Sequence, residues 1–158
     1  MFQPLNAKVE APNYNFSLEA LDIFYPGKKI AEIEEKYGKG EIINNASGII
    51  TYKFYVAHIR YKFPVIVQAR EGIVLDFFAR LPSYFLHDVY FQSIINRLGK
   101  QTLYKKVHEE AYYVWDKAPL KHIYSAACTI TCFPIFYTVH PLEINFQPLI
   151  KKMKNAYK

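Results

Sequence analysis

The stretch that decides the fold of this chain is Tyr25–Phe54, which reads YPGKKIAEIEEKYGKGEIINNASGIITYKF. Apolar residues recur at helical spacing between Lys28 and Tyr37, with charged residues on the other side, and this pattern predicts a short amphipathic helix. Gly38 follows directly, at the position where a left-handed residue commonly ends a helix. A polar loop at 44–48 leads into a β-strand, so the whole stretch predicts a helix, a glycine stop, a loop and a strand.

Three strand-like runs follow in this half of the chain, each rich in β-branched and aromatic residues. They are Ile49–Val56, Ile59–Val67 and Ile73–Arg80, and the connections between them are short enough for antiparallel hairpins. The first half is therefore predicted to be a helix followed by a three-stranded meander.

The second half repeats this order. A helical stripe ends at Gly99, and three further strand-like runs follow it, Lys105–Trp115, Lys121–Thr129 and Phe133–His140. Aligning the two glycines gives an offset of 61 residues (99 − 38), and the same offset relates Ile33 to Ile94, Lys39 to Lys100, Tyr52 to Tyr113 and Phe54 to Trp115. Several independent features at one spacing predict an internal repeat.

The predicted fold class is α+β, with two tandem helix–β-meander units at residues 16–82 and 83–142. Each unit alone is too small to bury a good core, so we expect both to share one antiparallel sheet, with the helices packed on one face. Residues 1–158 then form a single domain. The densest basic run, Lys151 to Lys154 with Lys158, predicts a solvated C-terminal basic tail at 143–158 rather than a nucleic-acid-binding arm.

Composition and charge narrow the class of protein. The chain has 158 residues and a formal net charge of +6, a mild field that favours anionic partners. No apolar run approaches the ~18 residues of a membrane-spanning helix, so no transmembrane segment is predicted. The first residues do not read as a basic region followed by an apolar one, which leaves two alternatives: a cytoplasmic protein, or an exported one whose signal segment was removed.

The order of these features resembles a known family. Residues 25–33 (YPGKKIAEI), then Tyr37–Gly40, a loop and the Tyr52–Phe54 strand are similar to the helix, glycine, loop and aromatic-strand unit of the β-lactamase inhibitory protein. They are also similar to the small lipoprotein subunit of the outer-membrane β-barrel assembly machinery, which has one such unit. The tandem arrangement favours the former type, over residues 16–141. The resemblance implies an exported, non-catalytic protein, periplasmic or secreted, that binds other proteins with a sheet face.

The cysteines depart from the inhibitor pattern. The inhibitor has one bridge in each half, whereas Cys128 and Cys132 both lie in the second half, so activity against β-lactamase is not implied. In one uninterrupted strand their Cα atoms would be ~13 Å apart, beyond disulfide reach. If residues 129–131 form a turn, the two can bridge, which leaves a disulfide and a pair of buried free thiols as alternatives. No second cysteine pair or suitably spaced histidine pair accompanies them, so neither a metal site nor a cofactor is predicted.

Strand alternation separates the two faces of the predicted sheet. One parity is apolar and is expected to pack against the helices. The other combines cations with aromatic side chains, and tyrosine and arginine are residue types that contribute much of the binding energy in protein interfaces. The residues predicted to form this protein-binding face are Lys53, Tyr55, Arg60, Lys62, Phe78, Arg80, His108 and Tyr112. An ordinary solvated face is the alternative, and the lack of a sheet-borne aromatic motif disfavours a nucleic-acid platform.

No catalytic constellation stands out in the sequence, because the histidines are scattered and neither a nucleophile elbow nor a phosphate loop is present. The leading hypothesis is therefore a non-catalytic, extracytoplasmic binding protein whose partner is another protein. A binder of a small anionic or lipid-like ligand, held in an apolar cavity between helices and sheet, is the alternative. An enzyme ranks third.

Overall fold

The computed structural model describes residues 18–58, 61–82, 87–129 and 132–153. These residues form an α+β fold that consists mostly of strands, with one eight-stranded antiparallel sheet. The strands are β1 Glu41–Ala46, β2 Ile49–His58, β3 Tyr61–Arg70, β4 Ile73–Leu81, β5 Leu103–Val107, β6 Glu110–Lys117, β7 Leu120–Cys128 and β8 Cys132–Pro141. The helices are a 3₁₀ helix, Leu18–Phe24, and the α-helices α1 Ile30–Tyr37, α2 His87–Leu98 and α3 Leu149–Met153.

The strand order is β1-β2-β3-β4-β8-β7-β6-β5, so two four-stranded meanders meet at the centre of the sheet. The central seam is the antiparallel pairing of β4 with β8, which extends from Phe77 opposite Val139 to Leu81 opposite Ile135. Strands β1 and β5 are the two edges. Because consecutive strands within each meander are hydrogen-bonded neighbours, all other pairings need only short connections.

Each half has four strands rather than the predicted three. The predicted loop at 44–48 is mostly strand β1, because Ser47 and Gly48 take φ angles of 56° and 79° and complete a tight hairpin turn within two residues. The predicted strand Lys105–Trp115 is two strands, because His108 has a φ of 56° and lies in a turn between β5 and β6. Turns with positive φ at non-glycine residues are weak signals in a sequence, since most residues avoid that conformation.

Helix α1 forms as its sequence pattern predicts. Ile30 and Ile33 are buried against the sheet while the glutamates between and after them face solvent. The helix ends at Gly38, whose φ is 84° and whose N–H donates to the carbonyl of Glu34 at 2.8 Å. Together with the 3₁₀ helix and α2, it covers one face of the sheet, and one apolar core extends through both halves beneath them.

Helix α3 packs on the opposite face of the sheet, so the prediction that the helices share one face is wrong for this helix. Leu149 and Ile150 are buried there against a second cluster that includes Phe78, Ile123 and Phe136. The segment predicted as a solvated basic tail is therefore partly packed, although Lys151 and Lys152 are exposed. The centre of this sheet face is apolar, and removing apolar surface from water is favourable. This accounts for the packing of α3 against it.

Buried polar contacts hold α3 on the sheet. The carboxylate of Asp76 accepts a hydrogen bond from the backbone N–H of Leu149 at 2.7 Å and another from Nε2 of Gln68 at 2.8 Å. Lys152 in turn donates from Nζ to Oε1 of Gln68 at 2.6 Å. Burial raises the pKa of Asp76 from 3.8 to about 6, against the lowering effect of these hydrogen bonds. The polar contacts thus fix the position of α3. Burial of the charged Asp76 carboxylate nevertheless costs folding free energy.

Candidate functional site

Four of the predicted binding residues lie together on the sheet face that α3 partly covers. Tyr55, Lys62 and Arg80 are exposed and Lys53 is half-buried, and they belong to the adjacent strands β2, β3 and β4. The ammonium of Lys53 lies 5.2 Å from the centre of the Tyr55 ring, a cation–π contact. We call these four residues the basic patch.

The remaining predicted residues do not join this patch. Phe78 and Tyr112 are 1% and 0% exposed, so the prediction that they form an open binding surface is wrong. Their strand parity places them on the expected face, but both belong to the apolar cluster that α3 covers, and the Phe78 ring stacks on Phe136 at 4.6 Å. His108 is exposed in the turn between β5 and β6, in the other half of the sheet. Arg60 lies outside the described residues.

Charge on the basic patch is predominantly positive. Lys62 and Arg80 face solvent, and the half-buried Lys53 lies opposite Glu41, whose carboxylate is exposed, in the pairing of β1 with β2. Positive groups around an exposed tyrosine favour a negatively charged partner surface. The patch therefore offers an aromatic contact surface and positive charge.

A cleft of about 340 Å³ lies on the other face of the sheet, at the end of α2 where the chain enters the helix. Its floor is formed by small side chains, Ala111 and Ala126, which are directly opposite each other on β6 and β7. Larger groups surround this floor, namely His87, Asp88, Tyr104, Lys106, Glu109, Tyr113, Cys128 and Cys132. Sequence parity could not find the cleft, because its lining comes from α2, the β5–β6 hairpin, β7 and β8.

His87 is the histidine of the cleft. Its Nδ1 lies 2.9 Å from the hydroxyl of Tyr124, and its Nε2 is 4.0 Å from the Asp88 carboxylate. Burial lowers the pKa of His87 and raises the pKa of Tyr124, so both are neutral near pH 7. In this contact either the Tyr124 hydroxyl or the Nδ1–H of the imidazole is the donor, since the tautomer of His87 sets which ring nitrogen carries the proton.

Cys128 and Cys132 are joined by a disulfide with an S–S distance of 2.06 Å, at the end of the β7–β8 hairpin. Cys128 is exposed and Cys132 is half-buried, and both border the cleft. Among the described residues, no group of three His, Cys, Asp or Glu side chains could hold a metal ion. No helix in the described part of the chain is long and apolar enough to cross a membrane.

A buried polar network connects the segment that follows the 3₁₀ helix to the sheet. The sequence did not indicate this network. The Tyr25 and Tyr137 hydroxyls are 2.9 Å apart, and Nδ1 of His122 lies 2.8 Å from the Tyr137 hydroxyl. Burial lowers the pKa of His122 to about 4. Arg97 lies over the Tyr25 ring and donates to the Asp22 carboxylate at 2.8 Å. Tyr25 and Tyr137 are 112 residues apart, a separation at which no local sequence pattern can pair them.

Comparisons with known proteins show likeness in fold alone. No protein-family model matches the chain, and no similar sequence is found among curated proteins. The structure is similar to that of a DUF4309 family protein, YjgB, from Bacillus subtilis, with a TM-score of 0.51 and 10% sequence identity over 82% of this chain and 90% of that one. A cysteine-rich secretory protein from Staphylococcus aureus matches with a TM-score of 0.45 and 13% identity, over 84% of this chain and 48% of that one.

Proposed function

We propose that this chain is a non-catalytic binding protein that uses the basic patch to hold an acidic segment of a partner protein. The observation that carries the proposal is the placement of Tyr55, Lys62 and Arg80, exposed side by side on three adjacent strands with Lys53 against the tyrosine ring. A tyrosine gives a large rigid contact area, and an arginine gives several hydrogen-bond donors for carboxylates.

The charges of the basic patch determine what the partner looks like. Three cations and one nearby carboxylate leave an excess of positive charge, so carboxylate-rich segments are attracted and basic ones are repelled. Because the patch is exposed, the attraction is screened by salt, and association should weaken as ionic strength rises. The cation–π contact between Lys53 and Tyr55 orders both side chains before binding, which lowers the entropic cost of association.

The test is a peptide-display selection on the immobilised protein, followed by affinity measurements on the selected peptides. We expect Asp- and Glu-rich peptides whose affinity falls at least about tenfold, or about 1.4 kcal/mol, in the double variant Tyr55→Ala/Arg80→Ala. A matched control, Phe133→Ala/Lys117→Ala, removes an exposed aromatic residue and a cation in the other half of the chain. Selected peptides that bind the double variant as well as the parent, or that carry no acidic bias, would rule out the basic patch as the binding site.

We also propose an extracytoplasmic location, and the Cys128–Cys132 disulfide supports it because structural disulfides persist in oxidising compartments. Alkylation of the natively purified protein without reductant, followed by mass spectrometry, tests this assignment. We expect neither cysteine to be alkylated. Labelling of both thiols in protein taken from its native host would place the chain in a reducing compartment.

The helix–meander halves are proposed to be tandem copies of one unit, in keeping with the resemblance to the β-lactamase inhibitory protein. Gly38 and Gly99 have φ angles of 84° and 83°, and Ser47 and His108 both have a φ of 56°, each pair at the same sequence spacing. Alignment of each half against the halves of homologous chains tests the proposal. Its expected result is that first and second halves match at this spacing, and a lack of any such match would contradict a duplication.

A further inference from the structure

The cleft beside α2 differs in chemistry from the basic patch and lies on the opposite face of the sheet. Its volume of about 340 Å³ is near the lower end of the range of small-molecule sites, so it suits a compact ligand. The lining carries charges of both signs and two aromatic rings around a floor of two alanines. A lipid-like ligand would need a more apolar lining than this one.

One side of the cleft suits a cation. The rings of Tyr104 and Tyr113 have their centres 5.0 Å apart and are inclined at 53°, so they present two aromatic faces at an angle. Asp88, whose side chain is 99% exposed, adds a carboxylate to the same lining. Aromatic faces near carboxylates attract ammonium groups, and methylated ammonium most selectively because its hydration is weak.

Another part of the lining suits an anion. Lys106 is two residues beyond Tyr104 on β5, and the two side chains point to the same face of the sheet about 7 Å apart along the strand. An ammonium lying against the two tyrosine rings can thus be joined to a carboxylate near Lys106 within a short molecule.

We propose that this cleft binds a small zwitterion that carries a methylated ammonium group and a carboxylate. Tyr104 and Tyr113 hold the ammonium, with Asp88 as its counter-charge. Lys106 holds the carboxylate. The alanine floor provides the depth, because a larger side chain at Ala111 or Ala126 would fill the space that the ligand occupies.

Titration by calorimetry and by NMR chemical-shift mapping tests the proposal with glycine betaine as the probe. Acetate and tetramethylammonium, which each carry one of its two charges, are the comparison ligands. We expect glycine betaine to bind at least tenfold more tightly than either, with shifts at Ala111 and Ala126. Weaker or equal binding of glycine betaine, or no binding in the millimolar range, overturns the proposal.

Variants separate the two charged groups of the ligand. Tyr104→Ala should weaken the binding of both glycine betaine and tetramethylammonium, whereas Lys106→Gln should weaken glycine betaine alone. Ile42→Ala is the control, since Ile42 is 57% exposed on β1, the opposite edge of the sheet from β5, and it should leave betaine binding unchanged. Circular dichroism and melting temperature confirm that each variant is folded. Unchanged betaine binding in folded Tyr104→Ala, or an equal loss in Ile42→Ala, would contradict the site.

Discussion

The contact between Asp76 and helix α3 makes a quantitative prediction about pH. Burial raises the pKa of Asp76 from 3.8 to about 6, so the folded chain binds a proton more tightly than the unfolded chain between these values. Ionisation of Asp76 therefore costs folding free energy, and its contribution to stability falls as pH rises through this window. A difference of about 2 pKa units corresponds to about 3 kcal/mol for the full titration.

The perturbation is Asp76→Asn, which removes the titrating group. From pH 4 to pH 7, the stability of the parent protein should fall by about 2 kcal/mol relative to the variant, whatever constant offset the new amide introduces. Urea unfolding at a series of pH values measures this, with the fluorescence of Trp115, the single tryptophan, as the signal. Asp116→Asn controls for the loss of one exposed negative charge.

Two results would refute this reasoning. A stability difference that stays flat across the range would mean that Asp76 is not held in a desolvated environment beneath α3. A difference of the opposite sign, with the parent gaining stability as pH rises, would mean that the hydrogen bonds from Leu149 and Gln68 outweigh the cost of burial.

Further predictions concern the core and the cover of the sheet. Comparison with His122→Gln should show the opposite pH trend, because burial lowers the pKa of His122 to about 4. In the same urea titrations, the free energy of unfolding of the parent should rise by about 2–3 kcal/mol relative to this variant from pH 4 to pH 7. Tyr137→Phe leaves Tyr25 and His122 without their shared hydroxyl and should cost about 1–3 kcal/mol, and a loss below about 0.5 kcal/mol would contradict the network. Leu149→Ala should cost about 2–4 kcal/mol and increase the binding of a hydrophobic dye, whereas the exposed Met153→Ala should change stability by less than about 0.5 kcal/mol.

Local patterns in the sequence predicted much of the architecture. The helical spacing of Ile30 and Ile33, the glycine stop at Gly38 and the alternation along β2 and β3 all depend on neighbours within a few residues. Such patterns correctly indicated an antiparallel sheet with helices. They missed β1 as a strand, because its edge position leaves all six residues exposed and removes the alternation that marks a strand.

The candidate binding residues show the same limit. Parity placed Phe78 and Tyr112 on the correct face, but parity cannot tell whether that face is open, and the burial of Leu149 and Ile150 against it is a packing event between distant parts of the chain. Tyr55 and Arg80 remained exposed because α3 covers the apolar centre of the sheet and not this side of it.

By itself, then, the sequence determined individual helices and strands of this protein. A helix, its glycine stop and the alternation of a strand are set by local backbone sterics and periodic burial. The tertiary structure alone decided which parts of the sheet the helices cover and where a cleft forms. Gly40 illustrates the difference: a Cβ there would lie 2.7 Å from the Phe54 ring, a constraint that arises only when the loop folds back on the strand. The cleft over Ala111 and Ala126 has the same origin, because its lining combines α2 with strands from other parts of the chain.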